Sequence, residues 1–187
     1  MIDALRPWVV HQSTLLLERR WLKLREDRVT LPGRVQAFDF HVMEMLEWVA
    51  VVALTEDDRV LFVEQYRHGC RRVSRELPAG VIEPDEAPVA AARRELLEET
   101  GYAADDFTPL IELLPEPNRC ATRAHFFFAK GARRVGEQQP DTTEQIHVVE
   151  VGARVLGEEI TSGRVEHGVH VAALLFASQR GLLPRLY

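Results

Sequence analysis

The chain is 187 residues long, 46% apolar and 28% charged, with 23 Lys and Arg against 29 Asp and Glu for a net charge of −6. That length favours one domain with room for a small appendage, and the apolar share suffices for a sizeable core. The acidic balance argues against a protein that coats nucleic acid, and no apolar run approaches the roughly 18 residues that a membrane helix needs. The two cysteines, Cys70 and Cys120, have no metal-ligand spacing and read as reduced thiols. The first residues, "MIDALRPWVV", are too short and too polar for a signal peptide. The expectation is a soluble cytoplasmic protein that binds neither nucleic acid nor membrane.

In chain order, "STLLLERRWLKLREDRVTL" alternates as a strand does, interrupted by "REDR", which reads as a polar turn. "LPG" (Leu31 to Gly33) is a break, and "RVQAFDFHVMEM" is a further strand. Residues 1–42 thus form a small N-terminal β region, with residues 43–187 as the main domain. About 40 residues is below the usual limit for independent folding. Leu15, Leu17, Trp21, Leu22, Leu24, Phe38, Phe40 and Val42 give this small sheet an apolar face that needs cover. "EWVAVVAL" and "RVLFVEQYR", joined by "TEDD", read as a β-hairpin buried on both faces, because the apolar runs are nearly continuous. "RELPAG" is a short strand ending at a turn. "FTPLIELL", "AHFFFAKGA" and "EQIHVVEV" are later strands, and "GARVLGEEITSG" and "HVAALLFASQRG" carry helical periodicity. Strands interleaved with a few helices predict an α/β (α+β) fold, a mixed sheet covered by helices.

Between them lies "GVIEPDEAPVAAARRELLEETG", with Glu83, Glu86, Glu95, Glu98 and Glu99. Pro88 suits the first turn of a helix, the alanines favour helix, and Gly101 stands where a left-handed C-terminal glycine belongs. The helix is predicted over residues 87–100. With Glu95 at zero, Glu99 lies at about +40° and Glu98 at about −60° around the axis. Val89, Ala90, Ala92, Leu96 and Leu97 form the expected buried side. Arg94 is placed to hold Glu98 at i,i+4. Like charges at this spacing repel, and the last turn of a helix disfavours anions. Either the stripe is a solvated acidic face, or it is a site for a hard cation, Mg²⁺ or possible Mn²⁺, which take oxygen ligands.

The spacing separates these readings. Gly80, Glu86, Arg94, Glu95, Leu96, Glu98, Glu99, Gly101 and Tyr102 fit G-x5-E-x7-R-E-U-x-E-E-x-G-U, with U a bulky apolar residue. Seven fixed letters coincide by chance in roughly one window in 10⁸ to 10⁹, so the solvated face is set aside. The segment resembles the Nudix box, and the chain is identified as similar to Nudix hydrolases. The resemblance implies the Nudix fold, a mixed β-sheet sandwiched between helices, and metal-dependent hydrolysis of a nucleoside diphosphate linked to another moiety. It makes Glu95, Glu98 and Glu99 metal carboxylates, joined by the backbone carbonyl of Ala79. Arg94, counted with the catalytic set, holds the loop–helix geometry together with Glu86.

"VEQYRHG" with "RELPAG", and "LLPEPNRCATRAHFFFAK" after the box, resemble the ADP-ribose pyrophosphatase group. The resemblance implies substrate contacts from Arg67, Glu76 and Pro117, and a further metal ligand or general base from the loop "DTTEQ", where Glu144 is the best match. Tyr66 reads as core, and His68, His125 and His147 as structural or surface residues. The implied reaction is ADP-ribose to AMP plus ribose 5-phosphate. GDP- or UDP-sugars or dinucleotides are alternative substrates of the same fold. A non-catalytic nucleotide-binding module is disfavoured because the box carboxylates are intact. In the group, a small N-terminal sheet crosses to a partner subunit, which implies a homodimer here.

Overall fold

The computed structural model describes residues 5–187. The chain divides into two compact units, Met1–Leu46 with Leu114–Thr122, and Glu47–Leu113 with Arg123–Tyr187. The division therefore falls at Leu46 rather than at residue 42. Residues 114–122 join the first unit because Met43 bridges Cys120 and its N–H donates to the carbonyl of Arg119 at 2.7 Å.

The first unit is a three-stranded antiparallel sheet, β1 (Val9–Arg19), β2 (Leu22–Thr30) and β3 (Phe38–Glu44), in that order. The expected turn at "REDR" is corrected: those residues lie inside β2, and the turn is at Arg20 and Trp21. The charges are tolerated in the strand because neighbours neutralise them. Arg25 pairs with Asp27 (2.9 Å) and Glu44, Arg28 with Asp39 (2.9 Å), and Glu26 with His41 (3.2 Å). Asp27, which is buried, also accepts the Ser13 hydroxyl at 2.6 Å, and these donors hold its carboxyl below the usual range. Trp8 packs edge-on against Phe38 and Phe40, with ring centroids 5.3 Å apart in each case.

The second unit is one mixed sheet. Its strands are β4 (Trp48–Thr55), β5 (Arg59–Arg67), β6 (Arg72–Glu76), β7 (Ala79–Val81), β8 (Tyr102–Ala103), β9 (Asp106–Leu113), β10 (Ala124–Arg134) and β11 (Ile146–Gly152). The central order is β11-β5-β4-β10-β8, with β4 and β10 parallel. Helix α1 (Pro88–Thr100) covers one face against Val49, Val51, Leu61 and Phe127. Helices α2 (Leu156–Thr161) and α3 (Gly168–Gln179) cover the other against Ala50, Val52, Phe62 and Phe126. Alternate residues of β4 thus enter opposite cores, which is why its apolar run is unbroken. This is the mixed sheet between helices that the sequence pattern predicts.

The expected β4–β5 hairpin is only partly formed. The two strands share a single register pair, Leu54 with Val60, and then part. The gap is filled by β6 on β5, with Val63 opposite Glu76, and β7 on β4, with Ala50 opposite Ala79.

Candidate active site

That parting of strands builds the site. The chain crosses from β6 to β7 through Leu77 and Pro78. Pro78 has no N–H to satisfy, and its carbonyl accepts the Val51 N–H at 2.9 Å. The Leu77 N–H donates to His170 Nδ1 at 3.1 Å, and the Ala79 N–H to Glu99 Oε2 at 2.8 Å. Side chains from helices on the two faces therefore complete the backbone bonding of the crossover.

Helix α1 spans Pro88–Thr100 with Gly101 left-handed at φ 73°, its N–H donating to the Leu97 carbonyl. Its buried face differs from the expected one. Ala92 and Leu96 are buried as expected, but Val89 (37%) and Leu97 (43%) are exposed, as is Ala90. Ala91, Glu95 and Glu99 are buried instead, Glu99 at 1% exposure. The helix is rotated so that two acids face the sheet, because the Ala79 N–H needs an acceptor and Gly80 leaves space. A Cβ at Gly80 would lie 2.0 Å from the Glu95 carboxyl.

Arg94 ties the loop to the helix. It donates to Glu86 at 3.0 and 2.9 Å, to Glu95 at 2.7 Å, to Glu98 at 3.1 Å and to the Val81 carbonyl at 3.0 Å. These carboxylates, Glu86 first, raise its pKa further. The loop after β10 caps the far end of α1. Gln139 N–H donates to the Glu98 carbonyl at 2.8 Å and the Gln138 amide to the Glu99 carbonyl at 2.5 Å. That loop carries Glu144, half-buried, whose Oε2 accepts the Asp141 N–H at 3.0 Å.

Arg67 grips Glu76 with two hydrogen bonds, 3.1 and 2.6 Å. Burial pushes the Glu76 carboxyl up, but Arg67 outweighs it and the pKa is lowered. The pair borders a cavity of about 350 Å³, which Arg72, Ser74 and His167 also line. Tyr66, expected in the core, is exposed, because its neighbours Gln65 and Arg67 occupy the other side of β5. Pro117 is exposed and belongs to the first unit. Sequence reading missed His167 and His170. Their one signal is two histidines three apart at the start of a helix that is otherwise apolar all round.

Among the described residues, no three His, Cys, Asp or Glu groups converge tightly enough to hold a metal unaided. Arg94 draws Glu95 and Glu98 to itself, and the Ala79 N–H holds Glu99. The residues nevertheless fit a hard cation. Glu99 Oε1 is buried and has no hydrogen-bond partner among them. Burial drives the Glu99 pKa well up; Glu95 and Glu144 add to this, while the Ala79 N–H and Arg67 oppose it. Glu95 is likewise raised, first by burial and then by Glu98 and Glu144, against Arg94. A set of oxygen donors with an unpaired buried member matches Mg²⁺ or Mn²⁺ chemistry. Glu99→Gln keeps an acceptor for Ala79 and removes the buried charge. Without divalent metal, its Tm should equal or exceed that of the parent by a few degrees. Added Mn²⁺ should stabilise the parent and not the variant. A variant that melts lower and is still stabilised by Mn²⁺ would contradict this in calorimetry.

Residues 45–174 match the NUDIX domain family. The chain is 33% identical over 133 residues to a methanol dehydrogenase activator of Bacillus methanolicus, covering 71% of each chain. It is 33% identical over 169 residues to an ADP-ribose pyrophosphatase of Mycobacterium tuberculosis, covering 85% of this chain and 81% of that one. A solved ADP compounds hydrolase superposes with a TM-score of 0.83 at 19% identity, over 96% of this chain and 98% of that one. Glutamates that turn inward to the sheet, a glycine that makes room for them and a match across most of the chain converge on one conclusion: the protein belongs to the NUDIX domain family.

Proposed function

We propose that the protein is a pyrophosphohydrolase that cleaves the diphosphate of ADP-ribose to AMP and ribose 5-phosphate with Mg²⁺. The carrying observation is the buried, unpartnered Glu99 Oε1, with Glu95 and Glu144 near enough to raise its pKa. The likeness to an ADP-ribose pyrophosphatase over most of both chains supports the choice of substrate. Glu95, Glu98, Glu99, Glu144 and the Ala79 carbonyl would hold the cation. When bound, it would neutralise the diphosphate oxygens and lower the pKa of the attacking water.

The remaining roles fall to the chain. Arg94 keeps Glu95 and Glu98 on one side of the helix and fixes the loop from Val81 to Glu86. Arg67 turns one guanidinium edge, Nε and one Nη, to Glu76 and is partly open to the cavity, which suits phosphate oxygens. Glu144, two residues before β11 on a loop anchored on α1, takes the proton of the attacking water. Water supplies OH to one phosphorus, the bridging oxygen leaves on the other, and the released proton passes to solvent. Two unpaired cysteines, Cys70 and Cys120, suit a reducing compartment such as the cytoplasm.

The test is a panel of ADP-ribose, GDP-mannose, UDP-glucose, NADH and diadenosine polyphosphates with Mg²⁺ or Mn²⁺. ADP-ribose should give the highest kcat/KM, with activity abolished by excess EDTA. Equal turnover in EDTA, or a preference for a GDP- or UDP-sugar, would overturn the metal or the substrate assignment respectively.

We propose further that the chain works as a homodimer through its first unit. Val9, Val10, Leu15 and Leu16 are exposed on that sheet and Trp21 on its β1–β2 turn. Light scattering should give a dimer at micromolar concentration, and deleting residues 1–46 should abolish soluble activity with the box intact. A monomer of full activity would sink the proposal.

A further inference from the structure

The crossover from β6 to β7 is held from both faces of the sheet. Glu99 of α1 accepts the Ala79 N–H, and His170 of α3 accepts the Leu77 N–H. Only Pro78 separates the two contacts along the chain. Leu77 is itself fully buried, and the Pro78 carbonyl between them is fixed by Val51. The segment that leads into the Ala79 carbonyl is therefore held by His170 at Leu77 as well as by Glu99 at Ala79.

We propose that His170 is a positioning residue for the reaction: its Nδ1 anchors the Leu77–Ala79 crossover and thereby the Ala79 peptide and the Glu99 carboxylate. This rests on the reading of Glu95, Glu98 and Glu99 as the cation site.

The chemistry of the ring supports this role and closes others. A backbone N–H pointing at Nδ1 requires that nitrogen to be unprotonated, so the neutral ring carries its proton on Nε2. His170 Nε2 has no partner among the described residues, so the Leu77 contact alone selects this tautomer. With one nitrogen occupied and the other protonated, the ring has no free lone pair for a metal or for a proton taken from water. It is also 1% exposed, which denies it contact with solvent or substrate. The ring cannot swing away. His167 stacks on it with centroids 4.1 Å apart, and Trp48 and Phe126 flank it at 5.7 and 5.9 Å. Burial first, and His167 second, lower its pKa to about 3 against the pull of Glu76. The ring thus stays neutral, and the acceptor remains available, throughout the ordinary pH range.

The experiment has three readouts on the full chain. In the parent, ¹⁵N NMR of the imidazoles should show His170 as the Nε2–H tautomer, with Nδ1 coupled to the Leu77 amide. The Nδ1–H tautomer would overturn the proposal. His170→Asn places an amide oxygen near the position of Nδ1, whereas His170→Phe fills the space without an acceptor. His170→Phe should lower kcat on ADP-ribose by about tenfold or more, with KM changed by less than about threefold. His170→Asn should restore kcat to within about threefold of the parent. Mn²⁺ alone, titrated by electron paramagnetic resonance, should bind more weakly to His170→Phe and normally to His170→Asn. Equal losses in both variants, or parent-like kcat and Mn²⁺ affinity in His170→Phe, would reduce His170 to an ordinary core residue. If His170→Phe does not fold, the tautomer and the activity of His170→Asn decide. A parent inactive on every substrate would refute the assigned reaction, yet the tautomer and the Mn²⁺ titration would still test the anchor.

Discussion

The contact between Glu99 Oε2 and the Ala79 N–H, 2.8 Å across the boundary between helix and sheet, is the constraint on which the site depends. It orients α1 so that an acid enters the core, against the usual preference for leaving carboxylates in water. One oxygen of that acid is satisfied by the backbone and the other by nothing among the described residues. A buried acceptor left without a partner costs about 1–3 kcal/mol. The fold offsets this with apolar packing along the same helix, at Ala91, Ala92 and Leu96. A cation at the open oxygen would remove the penalty, so the arrangement is destabilising alone and favourable when loaded.

Other features serve that contact. The separation of β4 from β5 admits β6 and β7, whose crossover supplies the N–H. Gly80 leaves the space into which Glu95 leans, and any larger residue there would displace the acid. Gly101 ends the helix in a left-handed turn, and a Cβ on it would meet the Gly136 carbonyl at 2.4 Å. That close approach lets the loop carrying Glu144 cap the last carbonyls of α1. Termination of the helix and placement of the loop that carries Glu144 are thus one structural event.

Much of this was legible in the residues. Pro88 and Gly101 marked the helix ends to within a residue, since both act through local backbone geometry. The unbroken apolar runs of β4 and β5 correctly implied cover on both faces. The rotation of α1 was not legible from hydrophobicity, because Glu95 and Glu99 take inward positions that an amphipathic pattern gives to Val89 and Leu97. The box spacing held that information, but as chemistry rather than as packing. "REDR" misled because charge in a strand is tolerable only when neighbours neutralise it, and those neighbours, Glu44, Asp39 and His41, lie up to 19 residues away. His170 was invisible for the same reason: its partner is a backbone N–H 93 positions distant.

The central claim is that Glu99 Oε1 is left open for a divalent cation. Anomalous diffraction from crystals grown with Mn²⁺ tests it most directly. The account predicts a peak at coordination distance, about 2 Å, from Glu99 Oε1, with Glu95 or Glu98 among the other ligands. A map with Mn²⁺ only on exposed acids such as Glu83 or Glu137, and Glu99 still bonded to Ala79 with no metal beside it, would contradict it.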